Sequence, residues 1–140
     1  MSDNGPQPQA PPSLNRTPPR WVWLIIGWLG TAAILGIPYF TIPVKQVEQT
    51  TALWLGGLVV IGAMAATVRV VGQTRAWQAV GAPLGGFLTV VASRIAADVA
   101  VDPTSHNLWP FELAVLVAAG GAAALVGAFI GSQIAHSLRR

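Results

Sequence analysis

The chain has 140 residues, of which 53% are hydrophobic and only 9% charged. Soluble domains carry about 25% charged residues, so the surface of this protein cannot be a water-facing one throughout. The net charge of +3 is too small and too scattered to mark a nucleic-acid binder, and the absence of cysteine excludes disulfides, thiol chemistry and Cys-ligated metal or iron–sulfur centres.

Residues 1–20, MSDNGPQPQAPPSLNRTPPR, hold six prolines and almost no large apolar side chain. Proline removes backbone donors and resists helix, so this segment is expected to be a disordered, Pro-rich cytoplasmic tail. The apolar run that follows is too long for a signal-peptide core and has no A-x-A-like site behind it, so it is expected to stay in the protein as a span.

A membrane-crossing helix needs about 20 mostly apolar residues. Four segments of residues 21–140 meet that length, at about 21–40, 51–71, 77–99 and 108–134. The expected fold is therefore an all-α integral membrane protein, a four-transmembrane-helix up-down bundle in which short connections make consecutive helices antiparallel neighbours. In the first span, Pro38 and Pro43 predict a kink or stop near Ile37, with Tyr39 and Phe40 at the interface. Trp21, Trp23, Trp54, Trp77 and Trp109 sit near span starts, as interfacial anchors do, and Trp28 lies deeper, facing lipid or a partner.

Orientation follows from the basic residues. With the N-terminus inside, Arg16, Arg20, Arg69, Arg75, Arg139 and Arg140 fall on the inner side, and Lys45 and Arg94 on the outer. That bias places both termini on the cytoplasmic side of a cytoplasmic (inner) or equivalent energy-transducing membrane. The acids Glu48, Asp98, Asp102 and Glu112 fall toward the outer side.

The third span, entered near Trp77, reaches its outer boundary near residues 96–98, so Arg94 lies about one turn inside it. Arg94 and Asp98 share a helical face at i, i+4 spacing, and Glu112 opens the fourth span at a similar depth. The three form a candidate outer-side charge cluster. An arginine head can snorkel to water from that depth, so the simplest role is a structural cap that lysine could also fill. An ion or proton site, or a contact with a partner's charge, is the alternative.

Small residues supply the packing signal. Gly81, Gly85, Thr89, Ser93 and Ala97 recur every four residues on the third span, as do Ala119, Ala123, Gly127, Gly131 and Ala135 on the fourth. Gly62 and Ala66, and Ala32 and Gly36, are shorter versions on the second and first. Such stripes let helix backbones approach closely in lipid, and they predict that the third and fourth helices form the tightest pair.

Chemistry is hard to find. His106 falls in the outer loop and His136 in the last turn, so neither offers an axial ligand at mid-span, and no cofactor or metal is expected. Ser93 and Ser132 lack a His–Asp partner. GGAAALVG lacks the Lys-Ser/Thr end of a phosphate loop. The expected role is a non-enzymatic one: a small membrane subunit that scaffolds, stabilises or assembles a larger complex, with the lipid bilayer and other membrane subunits or its own copies as partners. The alternative is a homo-oligomeric transporter or channel, for which Thr31, Thr67, Thr89, Ser93 and Arg94 are the polar candidates at depth.

Overall fold

The computed structural model describes residues 18–41, 51–102 and 109–140. The tail residues 1–17 with Arg16, the connector residues Pro43, Lys45 and Glu48, and His106 lie outside the described residues. The side chain of Trp109 does too.

The described residues form four helices: α1 Arg20–Thr41, α2 Thr51–Val70, α3 Ala76–Val101 and α4 Trp109–Ser137. There is no strand among the described residues. Three of the helices are long and apolar enough to cross a membrane: α1, α3 and the Pro110–Ser137 part of α4. In α2 the described apolar stretch, Trp54–Val70, is shorter.

The first helix does not stop at Ile37. It runs through Pro38 to Thr41. Pro38 stands in the last turn, where its missing N–H costs one hydrogen bond to the Ile34 carbonyl and leaves only a few residues beyond to redirect. Thr41 Oγ1 donates to the Pro38 carbonyl, 3.1 Å, satisfying one of the terminal acceptors. Pro83 is likewise carried inside α3 and is fully buried there.

The five-residue connector from α2 to α3 is ordered by its own polar groups. Thr74 Oγ1 donates to the Val68 carbonyl, 3.1 Å, closing the C-terminal turn of α2. The Arg75 backbone N–H donates to Gln78 Oε1, 3.1 Å, which starts α3. Gln73 adopts φ 46°, the left-handed conformation a tight reversal needs. Gly72 must be glycine: a Cβ there would stand 2.7 Å from Trp23 Cβ and 2.6 Å from the Val68 carbonyl oxygen.

The helices do not pair as chain order suggests. The two most extensive interfaces are α2 with α4 and α1 with α3, followed by α3 with α4. Around the bundle the order is α1, α3, α4, α2. The register shows direction: Gly27 meets Ala82 and Pro83, and Gly36 meets Val90, so α1 and α3 run parallel. Gly62 meets Ala123, and Ala66 meets Gly131, so α2 and α4 are also parallel. Gly30 lies by Met64 and Gly57 by Leu35, so α1 and α2 are antiparallel. Two hairpins, α1–α2 and α3–α4, thus stand side by side with equivalent helices in contact. The expected tightest pair, α3 with α4, is corrected to α2 with α4.

Three clusters fill the interior along the bundle axis. Val68, Ala79 and Ala128 pack with Leu24 and Val80. Ile61, Ala65 and Ala124 pack with Leu35 and Phe87. Val91, Ile95 and Leu116 pack with Val99 and Leu113.

Candidate functional site

The small residues of α4 and α2 bring backbone against backbone. A methyl group on Gly127 would collide with the Gly62 carbonyl, and one on Gly131 would lie 2.7 Å from the Ala66 carbonyl oxygen. A Cβ on Gly62 would stand 3.2 Å from the Ala123 carbonyl oxygen. Gly127, Gly131 and Ala123 therefore pack on α2. On α3 the close approach is made by Gly86, where a methyl would collide with the Trp28 carbonyl of α1. Gly85 faces the Trp28 indole, with a Cβ 3.3 Å from Cδ1, and Gly81 faces open space.

Gly86 was not visible to a strict every-fourth-residue count. Four residues turn a helix by about 40° more than one full revolution, so a stripe of five such steps walks off its own face. The buried row of α3 is Ala79, Pro83, Gly86 and Val90, spaced four, three and four. That alternation holds one face, and the adjacent Gly85–Gly86 pair was the available signal.

Arg94 and Asp98 meet as their spacing implies. Arg94 Nε donates to Asp98 Oδ2 at 3.0 Å, with the two side chains 15% and 22% exposed. Arg94 Nη1 also donates to the Tyr39 carbonyl at 3.2 Å, and its guanidinium stands 5.6 Å from the centre of the Phe40 ring and 6.0 Å from that of Tyr39. The parallel pairing of α1 with α3 brings the end of α1 to Arg94. In a regular helix the Tyr39 carbonyl would accept from the residue four places on, which is Pro43 and has no N–H to give. Arg94 supplies that donor, and its charge suits the negative end of α1. Both functions use the planar fork, so the arginine does more than reach for water. Glu112 is half-buried in the first turn of α4, where its charge complements the helix N-terminus.

Apart from Arg94, the polar side chains that could line a path turn back on their own helices. Thr31 donates to the Gly27 carbonyl at 2.8 Å, Thr67 to Ala63 at 2.9 Å and Thr89 to Gly85 at 2.8 Å. Ser93 donates to the Thr89 carbonyl. Such bonds satisfy a hydroxyl in an apolar setting without a partner or water. Among the described residues, Thr31 and Thr74 are the fully buried polar side chains, and Thr74 belongs to the connector. No group of three or more metal-binding side chains gathers among the described residues.

Outside the bundle, α1 and α3 leave an open apolar groove of about 450 Å³, lined by Ala32, Ala33, Gly36, Thr89 and Ser93 among others. At the opposite end, a smaller cleft is lined by Arg69, Gln73, Ser132, His136 and Arg139. No known protein family matches the sequence, and neither a curated protein nor a solved structure matches it.

Proposed function

We propose that the chain is a small integral membrane protein that crosses the bilayer four times and serves as a non-catalytic subunit, scaffolding or stabilising a larger membrane complex. The observation that carries this reading is the contrast between backbone-to-backbone packing at the helix interfaces and a grooved, apolar exterior. Inside, Gly127 on Gly62 and Gly86 on Trp28 bring backbones into contact, and the hydroxyls of Thr31, Thr67, Thr89 and Ser93 bond within their own helices. Outside, Ile37 is 68% exposed, Val59 70% and Phe129 65%, which is tolerable only against lipid or another apolar protein. The groove on α1 and α3 is floored by small residues, the surface against which a partner's membrane helix packs closely. A 20-residue α2 is about 30 Å long, matching the hydrocarbon thickness. The basic bias supports a topology with both termini on the cytoplasmic side of a cytoplasmic (inner) or equivalent energy-transducing membrane.

Native mass spectrometry of the gently extracted protein tests this reading. Foreign membrane chains in stoichiometric amounts are expected. A pure homo-oligomer that conducts ions in liposomes would overturn it in favour of a channel or transporter formed between copies.

A further inference from the structure

The cleft at the end of the bundle where α2 stops and α4 ends differs from three other hollows among the described residues. It measures about 180 Å³ and is bordered by Arg69 from α2, Gln73 from the connector, and Ser132, His136 and Arg139 from α4. The grooves elsewhere are lined almost wholly by apolar side chains. Two guanidinium groups and an imidazole share this one small opening.

The charge on Arg69 is not compensated by an acid among the described residues. Its Nη1 donates to the Thr74 carbonyl, and its Nε is sealed from solvent with no acceptor. A desolvated guanidinium without a counter-charge is costly, and an anion held by its remaining donors offsets that cost. Arg139 reaches only the Gln73 side-chain oxygen, at 3.5 Å, a long and weak bond. No Asp or Glu among the described residues pairs with either arginine. The described acids, Asp98, Asp102 and Glu112, stand at the far ends of α3 and α4. Arg75 in the connector and Arg140, whose Nη2 lies 3.3 Å from His136 Nε2, add positive charge nearby.

We propose that this cleft binds a phosphate group, held between Arg69 and Arg139, with the His136 ring at its edge and the Ser132 hydroxyl, which donates to the Phe129 carbonyl at 2.7 Å, able to swing to it. Guanidinium forks match phosphate oxygens in geometry as well as charge. The surroundings fit the phosphate of an anionic phospholipid headgroup: Phe129 and Leu125 lie on the same side of α4 as Ser132 and His136, one to three turns further along the helix, and are exposed, 65% and 62%. A headgroup seated there would lay its acyl chains along that flank. Inorganic phosphate carries the same oxygens without the chains. The phosphate chemistry stands independently of the scaffold reading, although the lipid source rests on membrane insertion.

Thermal unfolding of the full chain tests the site, in detergent with phosphatidylcholine, with phosphatidylglycerol, or with inorganic phosphate. Phosphatidylglycerol is expected to raise the unfolding temperature over phosphatidylcholine. Arg139→Gln should lose most of that rise and Arg69→Gln all of it. Arg20→Gln, which removes a charge from the same end but outside the cleft, should keep it. Arg139→Gln removes only one long bond, so it reports on the site even if Arg69→Gln fails to fold. A rise with inorganic phosphate alone, abolished by the same variants, supports the site and assigns it to the free ion. No rise with either probe, or a rise that Arg139→Gln and Arg20→Gln keep equally, would overturn the proposal.

Discussion

Arg94 spends its fork on two acceptors of different kinds. Asp98 is on the same helix and can turn to water if deserted, since its side chain is partly exposed. The Tyr39 carbonyl is fixed at the end of α1, and the residue that would otherwise serve it is Pro43. Arg94→Leu should therefore destabilise the protein by about 2 kcal/mol, through the loss of both bonds. Arg94→Lys can serve one acceptor at a time, so it should fall between leucine and the natural residue. Thermal unfolding in detergent measures both. Equal stability of the lysine and arginine forms would show that the group only snorkels, as the sequence alone suggests. The sequence made the Arg94–Asp98 contact legible, because i, i+4 spacing is a local property of one helix. It could not show Tyr39, because that contact depends on which helix lies alongside, and 55 residues separate the partners.

The same distinction governs the helices. Their number and approximate limits were legible from apolar run length, and Gly127 and Gly131 stood out as small residues on one side of α4. Their partner was not legible. Short connectors suggest that neighbours in sequence are neighbours in space, but the buried rows of α1 and α3, and of α2 and α4, fit one another better. Gly86 on Trp28 and Gly127 on Gly62 are contacts that no side chain larger than hydrogen permits. Gly86→Ala and Gly127→Ala should each cost about 2 kcal/mol, because the helices must separate to admit a methyl group. Gly81→Ala, which meets nothing within 4 Å, should be neutral or stabilising by up to about 1 kcal/mol, as glycine-to-alanine changes on an open helical face are. Unfolding midpoints of the three variants check this. A loss at Gly81 comparable to that at Gly127 would mean that the Gly81 face is packed against something in the assembled protein.

Across the whole molecule, the ring order α1, α3, α4, α2 sets what each end of the bundle presents. One end carries Arg94 and Asp98 by the C-terminus of α1, and the other carries Arg69, Gln73 and Arg139. The proposed orientation puts the arginine-rich end on the cytoplasmic side. Single cysteines at Ser13 and Ser137, in a chain with none of its own, should resist an impermeant thiol reagent applied outside sealed cells and react once the membrane is opened. Labelling of either from outside would reverse or break the proposed topology.

The close helix contacts, and with them the reading of the chain as a packing subunit, depend on the parallel pairing of α1 with α3 and of α2 with α4. In an up-down bundle ordered by chain succession, α1 and α3 would stand on opposite corners. Here Gly36 and Val90 face each other directly: a Cβ on Gly36 would lie 3.3 Å from Val90 Cγ2. The two Cβ positions are thus a little over 4 Å apart, near the upper end of the disulfide range of about 3.5–4.5 Å, which a small shift of the helices accommodates. The decisive measurement is oxidative cross-linking in native membranes of the double variant Gly36→Cys, Val90→Cys. Near-complete intramolecular cross-linking, seen as a reducible mobility shift of the monomer, is the predicted result. Absence of that cross-link, with efficient bridging instead between cysteines placed on α3 and α2 in a successive up-down register, would contradict it.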